Sequence, residues 1–154
     1  MGNWSDVLGA VRLPDGRTVR GTGLRRPRGT APDPEFAVYL LSRDPHVAAW
    51  PSRWVRWGDF RLPRHPEDAL DALREAHRRA ALHRVEIVCG GGVGRTGTAI
   101  AVLARMSGVP ASEAVAWTRA HYHPRAVETP RQRAWVASVA VETSPGRRDR
   151  RTEH

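Results

Sequence analysis

The chain has 154 residues and a formal net charge of +9, and all 25 of its basic residues other than histidine are arginine. This length suits one domain with a substantial core, and the absence of an apolar run of about 18 residues argues against a transmembrane helix. The positive charge favours phosphorylated or acidic partners. Nucleic acid is the weaker alternative, because no recognition module or aromatic platform motif is visible.

The cysteine content and the N-terminal residues bear on the cellular location. The first six residues lack the basic start and the apolar stretch of a signal peptide. The chain has one cysteine, which cannot form an internal disulfide, and a thiol needed for chemistry must stay reduced. We therefore expect a cytoplasmic protein that does not associate with membranes.

The first half of the chain predicts a hairpin, a loop and a buried strand. Residues 11–20 alternate around an Asp-Gly turn, which is typical of a β-hairpin. Residues 25–34 form a loop rich in proline, glycine and arginine, and the apolar run at 36–41 predicts a buried strand. The Trp-rich stretch at 45–63 is predicted to be irregular. Residues 1–35 as a whole match no type that we recognise.

The second half predicts four helices and one further strand. A helix begins at Pro66, a favoured first-turn residue, and a strand follows at 85–88. Three more helices are predicted at 96–106, 112–122 and 132–141. Strands and helices in this order predict an α/β fold, with a mostly parallel central sheet flanked by helices.

The chain shows no internal repeat or linker, so the predicted domain organisation is simple. We expect one domain over residues 1–143, followed by a disordered basic tail at 144–154.

The most informative segment, called the phosphate loop below, joins the strand at 85–88 to the helix at 96–106. Its sequence is Cys89-Gly90-Gly91-Gly92-Val93-Gly94-Arg95. A strand, a glycine loop and a helix N-terminus direct backbone N–H groups and the helix dipole at one point, which makes an anion cradle. A cysteine held there is favoured as the thiolate, and Arg95 offers a planar fork for two phosphate oxygens. The segment therefore indicates a phosphoryl-transfer enzyme whose phosphate is bound by residues 90–95.

Three motifs together resemble one known family. The pattern Cys-x-x-Gly-x-x-Arg-Thr-Gly at 89–97 resembles the signature loop of the cysteine-dependent protein tyrosine phosphatases. The segment at 57–63, Trp-Gly-Asp-Phe-Arg-Leu-Pro, is similar to the family's mobile general-acid loop and is called the acid loop below. Residues 128–132 resemble the late segment that positions water. The motifs stand in the family's order over roughly residues 36–141 and suggest its compact dual-specificity branch.

The resemblance implies a role for each matching residue. Cys89 would attack phosphorus to form a phosphocysteine, and Arg95 would clamp the equatorial oxygens. Thr96 would hydrogen-bond the cysteine sulfur and help it leave in the second step. Asp59 would act as the general acid and then as the base, and Gln132 would position the attacking water.

The resemblance also implies a substrate class. The expected substrate is a phosphotyrosine-containing protein, and tolerance of phosphoserine and phosphothreonine is left open. The uncharged phosphate-loop residues between Cys89 and Arg95 disfavour inositol phosphates. The oligomeric state is left open as well.

Two alternatives come from other functional classes. The family usually has histidine where this chain has Val88, a residue that helps to order the loop, and this departure favours a pseudophosphatase that binds phosphorylated partners without turnover. Residues 92–97 also fit the Gly-x-Gly-x-x-Gly dinucleotide fingerprint. The acidic residue expected about 20 positions later should end a second strand, whereas Glu113 falls in a predicted helix.

No metal or other cofactor is expected. His121 and His123 are two apart but lack a carboxylate or cysteine partner at a suitable spacing. Phosphoryl transfer through cysteine needs no metal ion.

Overall fold

The computed structural model describes residues 4–143, so the predicted tail at 144–154 lies outside the described residues. Five strands form one sheet in the order β1-β2-β5-β3-β4. Their bounds are β1 Ala10–Arg12, β2 Thr18–Gly23, β3 Phe36–Leu41, β4 Ser52–Arg56 and β5 Val85–Cys89. β1 is antiparallel to β2, and all other neighbouring strands are parallel. The predicted fold class, a mostly parallel sheet with helices, is confirmed.

Strand β4 corrects the prediction of an irregular segment at 45–63. It pairs in parallel with β3, with Ala37 opposite Ser52 and Leu41 opposite Arg56. It lies at the edge of the sheet, and only its Val55 is buried. A strand with one buried apolar residue has no apolar run in its sequence, so its pairing with β3 could not be seen there.

Within the described residues, four helices complete the fold: α1 Pro66–Arg79, α2 Gly94–Met106, α3 Ala114–His121 and α4 Pro130–Ser138. Helix α1 begins at the predicted proline, which precedes two acidic residues in the first turn. The sequence predicts Thr129 as the cap and Pro130 as a first-turn residue of the last helix, and the structure agrees: Thr129 and Gln132 form a capping box, and α4 begins at Pro130. No helix within residues 4–143 is long and apolar enough to cross a membrane.

The main core lies between the sheet and helices α1 and α2. Val85, Ile87 and Cys89 of β5 face this core, whereas the alternate residue Val88 belongs to a smaller cluster with Tyr39 on the other face. The side chain of Cys89 therefore points toward the helix that follows it.

The N-terminal segment, which matched no recognised type, is part of the same sheet. The indole of Trp4 donates a hydrogen bond to the Val85 carbonyl at 2.9 Å. On the outer face of the sheet, Arg20 and Arg28 pair with the buried carboxylate of Glu86 at 3.0 and 2.8 Å. These two guanidinium groups offset the cost of burying the charge, and they fix the segment beside β5.

Candidate active site

The phosphate loop connects the C-terminal end of β5 to the N-terminus of α2. Cys89 is the last residue of β5 and lies opposite Gly23 of β2 in the parallel register. Helix α2 begins at Gly94, and no side chain of the described residues caps its start. The first-turn N–H groups are therefore available to an anion at the carboxyl edge of the sheet.

The sulfur of Cys89 accepts a hydrogen bond from the loop itself. The Gly92 N–H lies 3.1 Å from Cys89 Sγ, and the cysteine is 2% exposed. The predicted bond from the Thr96 hydroxyl to this sulfur is not formed: the hydroxyl is buried and has no hydrogen-bond partner among residues 4–143. The sulfur is thus held by the backbone, and an assisting role for Thr96 in the second step stays a prediction.

Glycines of β2 allow the phosphate loop to lie directly against that strand. Gly92 has a φ of +76°, and a Cβ there would lie 2.7 Å from the Gly23 nitrogen. A Cβ on Gly23 would in turn lie 2.5 Å from the Gly91 carbonyl carbon. Sequence reasoning missed Gly23, although glycines at alternate positions of a strand are a signal of close backbone approach.

Tyr122, which follows α3, is a second contact that sequence reasoning missed. Its hydroxyl donates a hydrogen bond to the Gly92 carbonyl, and its ring occupies the space that a side chain on Gly21 would fill. Burial, followed by the nearby charge of Cys89, raises the pKa of Tyr122 well above its usual value, so the phenol remains a donor. Gly92 is therefore fixed at both ends, since its N–H binds Cys89 and its carbonyl binds Tyr122.

Arg95 extends from the first turn of α2 across to the acid loop. It is 6% exposed, and its Nη1 donates to the Trp57 carbonyl at 3.0 Å. Its Nε has no hydrogen-bond partner within the described residues and lies 3.8 Å from Asp59 Oδ1. This buried donor is placed to bind an anion between the two loops.

Arg25 brings a second guanidinium group to the phosphate loop. A Cβ on Gly90 would lie 3.3 Å from Nη2 of both Arg25 and Arg95. The Arg25 N–H also donates to the Gly90 carbonyl at 3.1 Å. Sequence reasoning placed this exposed arginine in an unassigned loop, and no local pattern marked it.

The acid loop carries Asp59 at its tip. The Asp59 side chain is 48% exposed, and its Oδ1 accepts from the Phe60 N–H at 3.1 Å. Phe60 has a φ of +61°, which is uncommon for a bulky residue. Strained backbone of this kind occurs most often at active sites and in segments that move. Trp57 is buried at the base of the loop, where its indole donates to the Arg61 carbonyl at 2.6 Å and its ring meets Trp135 edge-on.

Gln132 is buried and fully engaged with backbone groups. Its Oε1 accepts from the N–H groups of Glu128 and Thr129 at 3.0 and 3.2 Å, and its Nε2 donates to the Arg61 carbonyl at 3.0 Å. The side chain thus ties the acid loop to the start of α4. This contact differs from the predicted water-positioning role, which stays a prediction.

A second carboxylate reaches the start of α2. A Cβ on Gly94 would overlap the carboxylate of Glu128, so glycine at this position makes room for that side chain. Sequence reasoning quoted Glu128 only as part of a motif and gave it no role. Among residues 4–143, no three histidine, cysteine, aspartate or glutamate side chains are arranged to hold a metal ion.

The dinucleotide alternative lacks its second strand. Within the described residues, the elements after α2 are helices α3 and α4, and Glu113 is the N-cap of α3. A dinucleotide site would need a strand there, ending in an acidic residue that binds the ribose.

Comparisons with known proteins place these motifs in context. The family model described as Protein-tyrosine phosphatase matches residues 36–140. The fold is similar to that in the crystal structure of Tk-PTP in the active form, a small archaeal protein tyrosine phosphatase, with a TM-score of 0.63. The two sequences are 27% identical, and the match covers 83% of this chain and 92% of that chain. A mutant form of Tk-PTP gives 26% identity and a TM-score of 0.63 over 82% and 91%. No curated protein sequence gives a significant match.

Proposed function

Because the chain belongs to the protein-tyrosine phosphatase family and is a phosphatase, we propose that it hydrolyses phosphotyrosine in proteins through a phosphocysteine at Cys89. The observation that carries this proposal is the convergence at one edge of the sheet. The phosphate loop there carries Cys89 and the buried Arg95, whose Nε has no hydrogen-bond partner within residues 4–143. Asp59 of the acid loop lies 3.8 Å from that Nε.

In the proposed first step, the sulfur of Cys89 attacks phosphorus in line. The S–P bond forms while the bond from phosphorus to the tyrosyl oxygen breaks, and Asp59 gives its proton to that oxygen. Arg95 and the loop N–H groups stabilise the charge spread over the equatorial oxygens. The buried position of Arg95 strengthens this contact, because water screens it poorly.

In the proposed second step, water attacks the phosphocysteine. Asp59, now ionised, takes a proton from the water, the S–P bond breaks, and the sulfur leaves as the thiolate. The Gly92 N–H, 3.1 Å from the sulfur, stabilises the thiolate before it attacks in the first step and again as it leaves in the second. Orthophosphate is then released from the cradle.

Two finer points are part of the same proposal. Phosphoserine and phosphothreonine are allowed as further substrates, because the cradle recognises the phosphoryl group and not the ring. A cytoplasmic location is proposed from the single cysteine, whose thiol must stay reduced for this chemistry.

The decisive experiment is a turnover assay on p-nitrophenyl phosphate with and without a chelator, followed by phosphotyrosine and phosphoserine peptides. Metal-independent turnover is expected, and it would exclude the pseudophosphatase that Val88 favours. Binding of phosphopeptides without turnover would establish the pseudophosphatase instead. The ratio of kcat/KM for the two peptides measures tyrosine specificity directly.

A further inference from the structure

A tight turn at the end of β2 lies along the phosphate loop. The Arg26 N–H donates to the Gly23 carbonyl at 3.0 Å, which closes the turn. Inside the turn, the Arg25 N–H donates to the Gly90 carbonyl at 3.1 Å, so the parallel pairing of β2 with β5 continues into the phosphate loop. The backbone of Arg25 is therefore fixed beside the first residue after the proposed nucleophile.

The side chain of Arg25 reaches the same part of the phosphate loop as that of Arg95. A Cβ on Gly90 would lie 3.3 Å from the Nη2 of each arginine. The two guanidinium groups come from different elements, since Arg25 follows β2 and Arg95 lies in the first turn of α2. They therefore flank one point of the loop, and glycine at position 90 leaves the space between them open.

Arg25 brings a positive charge that no carboxylate of residues 4–143 neutralises. Its side chain is exposed, and the ion pairs of the described residues involve other groups. Two guanidinium groups at one point repel each other, and an anion between them relieves that repulsion. A phosphate monoester carries nearly two negative charges at neutral pH, so a second guanidinium group matches its charge.

We propose that Arg25 is a further substrate-binding residue, whose guanidinium group binds the non-bridging oxygens of the phosphoryl group together with Arg95. This inference rests on the proposed function and narrows its substrates to phosphate monoesters in the dianionic form. Arg25 holds the phosphoryl group itself, so it acts alike on small esters and on phosphopeptides. Because it binds the group before and during transfer, it lowers KM and leaves kcat little changed.

The test measures anion binding separately from turnover. Calorimetric titration with inorganic phosphate gives a Kd, and inhibition of p-nitrophenyl phosphate hydrolysis by vanadate gives a Ki. In Arg25→Ala, both constants and the KM for p-nitrophenyl phosphate should rise about tenfold, the value of one hydrogen bond to a charged group. Arg25→Lys keeps the charge but loses the planar fork, so it should recover part of the loss.

The charge of the anion supplies a second readout. As the pH falls, inorganic phosphate takes up its second proton and its attraction to a second guanidinium group weakens. The ratio of the Kd in Arg25→Ala to that in the unmodified protein should therefore fall toward one at acid pH. A turn that was merely disturbed by the substitution would give a ratio that does not follow the charge of phosphate.

Arg26→Ala is the matched control. It removes the same charge from the same turn, but the Arg26 side chain lines a cavity with Tyr39 and Val88, on the face of the sheet opposite Cys89. It should leave the Kd for phosphate and the Ki for vanadate nearly unchanged. If Arg25→Ala does not fold, Arg25→Gln takes its place, with the same expected loss of affinity.

Three results would overturn this role of Arg25. One is an unchanged Kd for phosphate in the Arg25 variants, another is an equal rise in Arg26→Ala, and the third is a fall in kcat without loss of phosphate affinity. Titration with phosphate needs no turnover, so it distinguishes these results from failure of the proposed function. A protein that binds phosphate through Arg25 but hydrolyses no ester would fail the proposed function and retain this binding residue.

Discussion

The phosphate loop and the acid loop face each other across Arg95, but they are held in different ways. The backbone of the phosphate loop packs directly against the backbone of β2. A side chain at position 23 would collide with the backbone of Gly91 and Gly92. The acid loop is held by side chains from other parts of the chain, because the Arg61 carbonyl accepts from both Trp57 and Gln132.

This difference suits the two proposed tasks. A cradle must keep its donors aimed at a fixed point, because preorganised dipoles need no rearrangement during the reaction. An acid must approach and leave as substrate binds and departs, and a loop held by a few hydrogen bonds can do so at low cost. The exposed, strained residue Phe60 at the tip of the acid loop fits a segment with more than one accessible position.

The largest expected effect comes from removing the proposed nucleophile from the rigid loop. Cys89→Ser should lower kcat by about 10³-fold or more, because the serine hydroxyl is a far weaker nucleophile at neutral pH. Vanadate binding should persist, since the oxyanion contacts come from the backbone and Arg95. Steady-state kinetics and vanadate titration measure both, and a serine variant that keeps a tenth of the turnover contradicts the mechanism.

The next effect tests the acid loop through its proposed proton. Asp59→Asn should lower kcat on phenyl phosphate by about 10²-fold, because the basic leaving oxygen needs a proton. The loss should be much smaller on p-nitrophenyl phosphate, whose leaving group needs less help. The alkaline limb of the kcat profile, where the acid loses its proton, should flatten.

The exposed Asp44 in the β3–β4 connection provides the matched control, and Asp44→Asn should change kcat on neither phenyl phosphate nor p-nitrophenyl phosphate. An equal loss on both substrates would assign Asp59 a structural role. Glu128, whose carboxylate lies against Gly94 at the start of α2, would then be the next residue to substitute.

A smaller effect distinguishes two roles for Gln132. Gln132→Glu keeps the side-chain oxygen that accepts from the Thr129 N–H at the start of α4 but loses the amide donor to the Arg61 carbonyl. Gln132→Ala loses both contacts and should also cost about 1 kcal/mol of stability. If Gln132 anchors the acid loop, both variants should slow the first step about tenfold on phenyl phosphate.

Rapid-mixing kinetics separate this anchoring role from water positioning. Slower attack by water would leave the first step intact, so a burst of phenol would precede the steady state. No burst is expected if the acid loop is loosened, because the leaving group then departs slowly. Thermal unfolding of the two variants reports the capping contribution independently.

The phosphate loop was predictable because its parts are contiguous in sequence. The strand, the glycines, Arg95 and the helix start follow one another in a single continuous segment, residues 85–97. The order of residue types in such a segment is enough to indicate an anion cradle. The structure extends both predicted elements slightly, because Cys89 is the last residue of β5 and α2 begins at Gly94, which puts Arg95 in its first turn.

The contacts that hold the site were not predictable, because they join distant segments. Tyr122 meets Gly92 across 30 residues, and Gln132 meets Arg61 across 71. Each partner looks like an ordinary tyrosine or glutamine in its own surroundings. Strand β4 escaped prediction for a similar reason, since its pairing with β3 and not its own composition makes it a strand.

The smallest effect tests how firmly the phosphate loop is fixed. Tyr122→Phe removes only the hydroxyl that binds the Gly92 carbonyl, and the ring still fills the space beside Gly21. With its carbonyl released, Gly92 holds its N–H less firmly against Cys89 Sγ, so the thiolate is less stabilised. We expect kcat/KM to fall about threefold, the value of one net hydrogen bond.

The pH profile shows whether this loss acts through the sulfur. In Tyr122→Phe, the acid limb of the kcat/KM profile should lie at higher pH than in the unmodified protein. The rate at which iodoacetate alkylates Cys89 should shift to higher pH by the same amount, while the KM for phosphate esters changes little. Tyr39→Phe is the matched control, because its hydroxyl accepts from Trp50 on the opposite face of the sheet and contacts neither loop. A threefold loss with both acid limbs unmoved would mean that Tyr122 only supports the fold. An equal shift in Tyr39→Phe would mean that the loop responds to the sheet as a whole and that Gly92 is not held individually.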